Sequence, residues 1–147
     1  MKGLRLIATG GALPGRTVTN EELSRTVDTS DEWITTRTGI KSRRIAVGET
    51  NVDMAEGAAR QAMGLVEGGY CEAPIDPESI DLVVYSTCTP DVLVPSCAAL
   101  VRRRLGLVNA VAFDVNAACS GFIYAMSVAE SMMASSALGV AGAGRRN

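Results

Sequence analysis

The sequence predicts an α/β fold built on a mostly parallel sheet. Three observations carry that expectation. From Ile80 onward strand-like and helix-like stretches alternate, the order that produces parallel strands joined by helices. The stretch from Ser120 to Ser135 is apolar or small on nearly every side except at Glu130 and a few serines, the pattern of a helix buried between layers. Hydrophobic residues make up 47% of the 147, enough for a core in a chain of ordinary single-domain size.

Taken in order, Leu4 to Thr9 reads as a short strand that runs into the Gly-rich turn "GGALPG". Asn20 is a good N-cap for the short helix "NEELSRTV", which has acids in its first turn. In "TSDEWITTRTGI", Ser30 or Thr29 caps a second helix, and Gly39 ends it. "KSRRIAV" reads as a short extended piece. It is either a solvated surface strand or a rim for an anionic ligand such as a phosphate. The segment "NVDMAEGAARQAMGLV" is an amphipathic helix with Met54, Ala55, Ala58, Ala59, Ala62, Met63 and Val66 on one face. After a loop come a buried strand, Asp81 to Ser86, and the helix "PSCAALVRRRLGL", with Pro95 in its first turn and Gly106 closing it. "NAVAFDVNA" is another buried strand, the long apolar helix follows Cys119, and "ALGVAGAG" reads as a final, Gly-diluted strand.

The net charge of −2 argues against a general affinity for nucleic acid or anionic membrane. The first residues do not form a secretory signal, because Arg5 interrupts a short apolar run. No run approaches the ~18 apolar residues of a membrane helix. The four cysteines, Cys71, Cys88, Cys97 and Cys119, include no CxxC pair, and there is no histidine. That disfavours a zinc site or a thiol redox protein and points to a reducing cytoplasm.

Cys119 stands out within "NAACSGF" because its neighbours are small and it lies between a strand and a helix. A helix N-terminus favours negative charge, so the thiolate is favoured there. Small neighbours let an electrophilic carbonyl approach, and amides of the turn are candidate donors to the oxyanion formed on attack. Strand, tight turn, nucleophile and helix form a nucleophile elbow. Read without that pattern, a free cysteine is as often a small buried hydrophobe. Cys88 and Cys97 read as packing or incidental, Cys71 as a loop residue, and Asn116 and Ser120 as shaping the turn.

Several stretches together carry a resemblance: "GGALPGRTVTNEEL", "VDTSDEWITTRTGIKSRRIA", "STCTPDVLVPSCAALVRRRLG" and "AFDVNAACSGFIYAMSVAE". In this order they resemble the N-terminal half of the β-ketoacyl-acyl-carrier-protein synthase III family of the thiolase superfamily. The resemblance implies a thiolase-like fold, in which residues 1–147 are one half of a duplicated α-β-α-β-α domain with a central buried helix and the C-terminal half is absent. It also implies a condensing enzyme that initiates fatty acid synthesis. Cys119 takes an acyl group from acyl-CoA, and malonyl-acyl-carrier protein is then decarboxylated and condensed with it. Trp33 resembles the family's tryptophan that stacks on the adenine of coenzyme A, with Arg37 and Thr29 at the same end of the ligand. Val94 matches a position that reaches across the family's homodimer interface into the partner's acyl pocket, where an aromatic is common.

The resemblance implies acyl-CoA as a substrate, no cofactor, and no nucleic-acid or membrane partner. It fails in one respect. The family's catalytic His and Asn come from the C-terminal half, and this sequence contains no histidine, so the second half-reaction lacks its electrostatic support. One half would also leave the helix from Ser120 to Ser135 uncovered. Two rival readings remain: a non-catalytic piece that only binds or dimerises, and a polyketide starter-unit condensing enzyme.

Overall fold

The computed structural model describes residues 4–135. The strand expected in "ALGVAGAG" and the terminal "RRN" lie outside them. Residues 12–50 form one compact unit, and the described residues on either side of it form the other.

In the unit of residues 12–50, β2 (Arg16–Thr19) pairs antiparallel with β3 (Ser42–Ile45), with Val18 opposite Arg43. Between them lie α1 (Asn20–Leu23) and α2 (Asp31–Thr38). The cap of α1 differs from expectation. Thr19 accepts the hydrogen bond from the Glu22 amide, while Asn20 turns inward and is 1% exposed. Its Nδ2 donates to Asp31 Oδ1 at 2.7 Å and to the Ile40 carbonyl at 2.8 Å, and its Oδ1 accepts from Arg43 at 2.6 Å. Contacts to three segments satisfy this buried amide, as a buried polar group requires. Ser30 caps α2 through the Trp33 amide, and Gly39, at φ 72°, ends it, a conformation that glycine adopts without strain. The basic cluster is committed to structure. Arg43 also reaches the Val18 carbonyl, Arg44 the Gly15 carbonyl, and Lys41 pairs with Asp31.

In the other unit, β1 is only Ala8–Thr9, paired antiparallel with β4 (Tyr70–Cys71). The expected strand from Leu4 is shorter because its partner offers two residues. Cys71 therefore sits in a strand and not in a loop. The helix α3 spans Asn51–Ala62. Its buried seam runs Val52, Ala55, Ala59 and Met63, while Val66 is exposed. The parallel pair appears as expected, with β5 (Leu82–Ser86) beside β6 (Val111–Val115) in register from Leu82 opposite Val111 to Ser86 opposite Val115. Between them α4 (Cys97–Arg104) packs on both strands and on α3. Its cap is Ser96, so Pro95 precedes the helix instead of opening it. Val52, Met63, Cys97, Val101, Leu105, Leu107 and Ala110 form the core of this unit. A 3₁₀ turn, Ala118–Ser120, then leads into α5 (Gly121–Ala134).

The apolar helix α5 is open to solvent in this chain. Phe122, Ile123 and Tyr124 are 68%, 64% and 57% exposed. A helix apolar on most sides is one that further layers cover.

Candidate active site

β6 delivers the chain to the sheet's carboxyl edge at Val115, and the backbone then turns sharply. Ala118 has φ 44°, a left-handed conformation that costs a residue with a Cβ and is often stored at functional turns. The Ser120 amide donates to the Ala117 carbonyl at 3.0 Å, and the Gly121 amide to the Ala118 carbonyl. Those two amides are therefore spent within the turn and are not free for an oxyanion. Cys119 sits inside this 3₁₀ turn, just ahead of the helix, and is exposed.

Gly121 permits the geometry. A Cβ there would overlap Ser86 Oγ and come to 3.1 Å from Ser86 Cβ, so glycine lets α5 start against the end of β5 with the Ser86 side chain undisturbed. No side chain caps α5. The positive end of its dipole faces the turn without a compensating side-chain acceptor. Asn116 and Ser120, on either side of Cys119 in the chain, are exposed.

The edge around Cys119 is held by polar side chains that sequence reasoning missed. Asp114 accepts from the Cys97 and Ala98 amides, each at 2.8 Å, and so caps α4 from the neighbouring strand. Asp91 does the same for α3, accepting from the Asn51 and Val52 amides at 2.8 Å. The Tyr85 hydroxyl donates to Asn51 Oδ1 at 2.6 Å. Burial pushes the Tyr85 phenol up to about 12, and Cys97, Asp91 and Asp114 add to the shift, so it remains a donor. The missed signal is a pair of aspartates, one in an apolar strand and one in a loop, each far in sequence from the helix it caps.

Of the other sequence-predicted residues, Thr29, Trp33 and Arg37 lie in the unit of residues 12–50 and Val94 in the other unit. The Arg37 guanidinium stands 4.5 Å from the centre of the Trp33 ring, within cation–π range. Trp33 is 54% exposed. Beside it Val27, Asp28, Thr29, Ser30 and Trp33 line a pocket of about 540 Å³. Thr29 Oγ1 is buried there with no hydrogen-bond partner among the described residues. A buried hydroxyl without a partner is costly. Val94 is 88% exposed, in the loop before α4.

Among the described residues no helix is long and apolar enough to cross a membrane.

Comparison with known proteins converges on one family. Residues 113–141, which include the end of β6, the Cys119 turn and α5, match the model for 3-oxoacyl-[acyl-carrier-protein] synthase III. The β-ketoacyl-[acyl-carrier-protein] synthase III of Xylella fastidiosa (strain Temecula1) is 51% identical over 132 residues, 89% of this chain and 39% of the relative. The crystal structure of 3-oxoacyl-[acyl-carrier-protein] synthase III from Aquifex aeolicus superposes with a TM-score of 0.81 at 49% identity, covering 90% of this chain and 41% of that one. The priming β-ketosynthase of the R1128 polyketide pathway superposes with a TM-score of 0.75 at 40% identity, covering 88% and 40%. The chain thus spans about two fifths of the length of the relatives it matches. Its α/β fold is thiolase-like, as in these structures, and over about nine tenths of its length the chain is similar in sequence and fold to the β-ketoacyl-acyl-carrier-protein synthase III family.

Proposed function

We propose that this chain carries the acyl-accepting cysteine of a condensing enzyme that initiates fatty acid synthesis, and that it makes up one thiolase-like half of that enzyme. The observation that carries the reading is the turn at Cys119: an exposed thiol after a left-handed Ala118, at the start of a helix with no side-chain cap. The nucleophile is the thiolate form of Cys119. The thiolate attacks the thioester carbonyl of acyl-CoA, the oxyanion collapses, and the CoA thiolate leaves and takes up a proton. The acyl group remains as a thioester on Cys119. Trp33 and Arg37 supply flat surfaces for the adenine end of the substrate, and Thr29 Oγ1 supplies a hydrogen bond.

The second half-reaction decarboxylates malonyl-acyl-carrier protein and joins its carbanion to the acyl group. It needs donors for a developing enolate oxygen, and the histidine this family uses is not in this sequence. The reaction assigned to these residues is therefore the first. The substrates are acyl-CoA and malonyl-acyl-carrier protein, no cofactor is required, the setting is cytoplasmic, and the full assembly is a homodimer with Val94 at the partner's acyl pocket.

Intact mass of the chain after incubation with a series of acyl-CoA thioesters tests this, with the modified residue located by digestion. One acyl group on Cys119, lost in Cys119→Ser, is the expected result. Trp33→Ala should raise the acyl-CoA concentration needed for half-labelling roughly fivefold, the worth of one aromatic stack at about 1 kcal/mol. A folded chain that takes no acyl group contradicts the reading. A second reading, a piece that only binds another chain, is favoured by the open face of Phe122, Ile123 and Tyr124. Association without labelling would support it.

A further inference from the structure

We propose that Cys88 and Cys119 form a reversible disulfide that masks the Cys119 thiol during exposure to peroxide. The proposal stands whether or not Cys119 accepts an acyl group.

The fold sorts the four cysteines into two kinds. Cys97 is 0% exposed. Cys71 is half-buried, and its thiol donates to the Ala73 carbonyl at 2.7 Å. Cys88 and Cys119 are exposed, and exposure is the first requirement for thiol chemistry.

Both exposed thiols leave the same edge of the same strand pair. β5 and β6 stay in register as far as Ser86 opposite Val115. The Thr87 amide donates to the Val115 carbonyl at 3.2 Å and extends the ladder by one residue. Cys88 is the next residue. On the other strand the chain turns after Val115 and returns so that Gly121 presses on Ser86. The segment from Val115 to Gly121 therefore begins and ends beside Ser86, with Cys119 in its turn. Cys88 lies two residues past Ser86, and Cys119 two residues before Gly121. Two-residue arms from a shared contact are short enough to permit the Cα separation of under about 7 Å that a disulfide needs.

Cys88 is also held at this edge. Asn51 Nδ2 donates to Thr87 Oγ1 at 3.2 Å and to the Thr89 carbonyl at 2.9 Å, so one side chain ties down the residues on both sides of Cys88. The Thr89 amide donates to Thr87 Oγ1 at 3.1 Å and closes the loop. Asp91 then anchors the loop to the start of α3.

The chemistry balances with hydrogen peroxide as oxidant. The Cys119 thiolate attacks one peroxide oxygen, the O–O bond breaks, and the departing hydroxide takes up a proton. Cys119 is now a sulfenic acid. The Cys88 thiolate attacks its sulfur, the S–S bond forms, the S–O bond breaks, and the second hydroxide leaves as water. Two thiols and one peroxide give one disulfide and two waters. A dithiol reverses the step by exchange.

The test uses the 147-residue chain treated with dilute hydrogen peroxide, alkylated, and digested without reduction. The expected result is a mass lower by two hydrogens and a peptide that joins Cys88 to Cys119 and disappears on treatment with dithiothreitol. In Cys88→Ser, the expected result is a Cys119 sulfenic acid trapped when dimedone is present and irreversible oxidation to the sulfinic acid when it is absent. Dimedone trapping of Cys119 to the same extent in both proteins would overturn the proposal. So would a bridge from Cys119 to Cys71 or to a second chain, or no oxidation at either exposed thiol. The wild-type peptide map decides the matter even where the variant folds poorly. Acyl-CoA labelling of the dithiothreitol-treated sample is scored separately, so that failure of the acyl reading and failure of the disulfide are told apart.

Discussion

Cys97 and Cys119 each stand at the start of a helix that follows a strand of the same parallel pair, yet their surroundings are opposite. Cys97 is the first residue of α4, and the Asp114 carboxylate binds its amide while Ser96 caps the next turn. The positive end of α4 is satisfied, and the thiol is sealed at 0% exposure. Cys119 precedes α5, which has no side-chain cap, and the thiol is open to solvent. Position at a helix N-terminus is common to both. What separates a packing cysteine from a candidate nucleophile is whether an anion already occupies that end and whether a substrate can reach the sulfur.

The largest effect that would break or sharpen this contrast is on acylation. Cys119→Ser should abolish acyl labelling by mass, whereas Cys97→Ser should leave labelling intact in the folded fraction. Cys97→Ser should instead lower stability by about 1–3 kcal/mol in urea unfolding, because it buries a hydroxyl in an apolar core. Next is Gly121→Ala. Its methyl collides with Ser86 and forces the start of α5 away from β5. Destabilisation by roughly 1–3 kcal/mol is expected, together with slower labelling at Cys119. Asp114→Asn keeps a capping oxygen but removes the charge from α4. A loss of about 1 kcal/mol is expected from the weaker capping bonds, with no change in labelling.

The smallest effect concerns a third helix start. Asp31 opens α2, and its carboxyl is held below its ordinary value of 3.8, first by the hydrogen bond from Asn20, then by that from Thr35, with Lys41 adding. A carboxyl whose folded value is depressed contributes stability that is fully present above the ordinary value. That contribution is lost as pH falls through the folded one. Asp31→Asn should therefore narrow its stability deficit against the wild type as pH drops below about 3.8. A deficit that does not change with pH in that range would contradict the assignment.

The contrast also shows which features could be read from sequence. The Cys119 turn is a local pattern: small residues between an apolar strand and an apolar helix. The Ser30 cap, the Gly39 stop and the parallel order of β5 and β6 are equally local or periodic, and all three were legible. Asp114 and Asp91 were not, because each caps a helix whose first residue lies 17 or 40 positions away. The sequence presents Asn20 as a cap because its side chain suits that role. Tertiary contacts with Asp31, Ile40 and Arg43 drew it inward, and Thr19 capped instead. The unpartnered Thr29 hydroxyl emerged only once its neighbours were placed. Nothing in a linear pattern says that a threonine oxygen will be buried without a partner.

The central claim is that Cys119, alone among the four cysteines, meets acyl-CoA as a nucleophile. The most direct measurement is isotope-coded alkylation of every cysteine in the native chain, with and without prior incubation with acyl-CoA. The account predicts rapid alkylation of Cys119, slow alkylation of Cys97, and protection by acyl-CoA at Cys119 only. Protection at another cysteine, or none at Cys119 in a chain that alkylates normally, would contradict it.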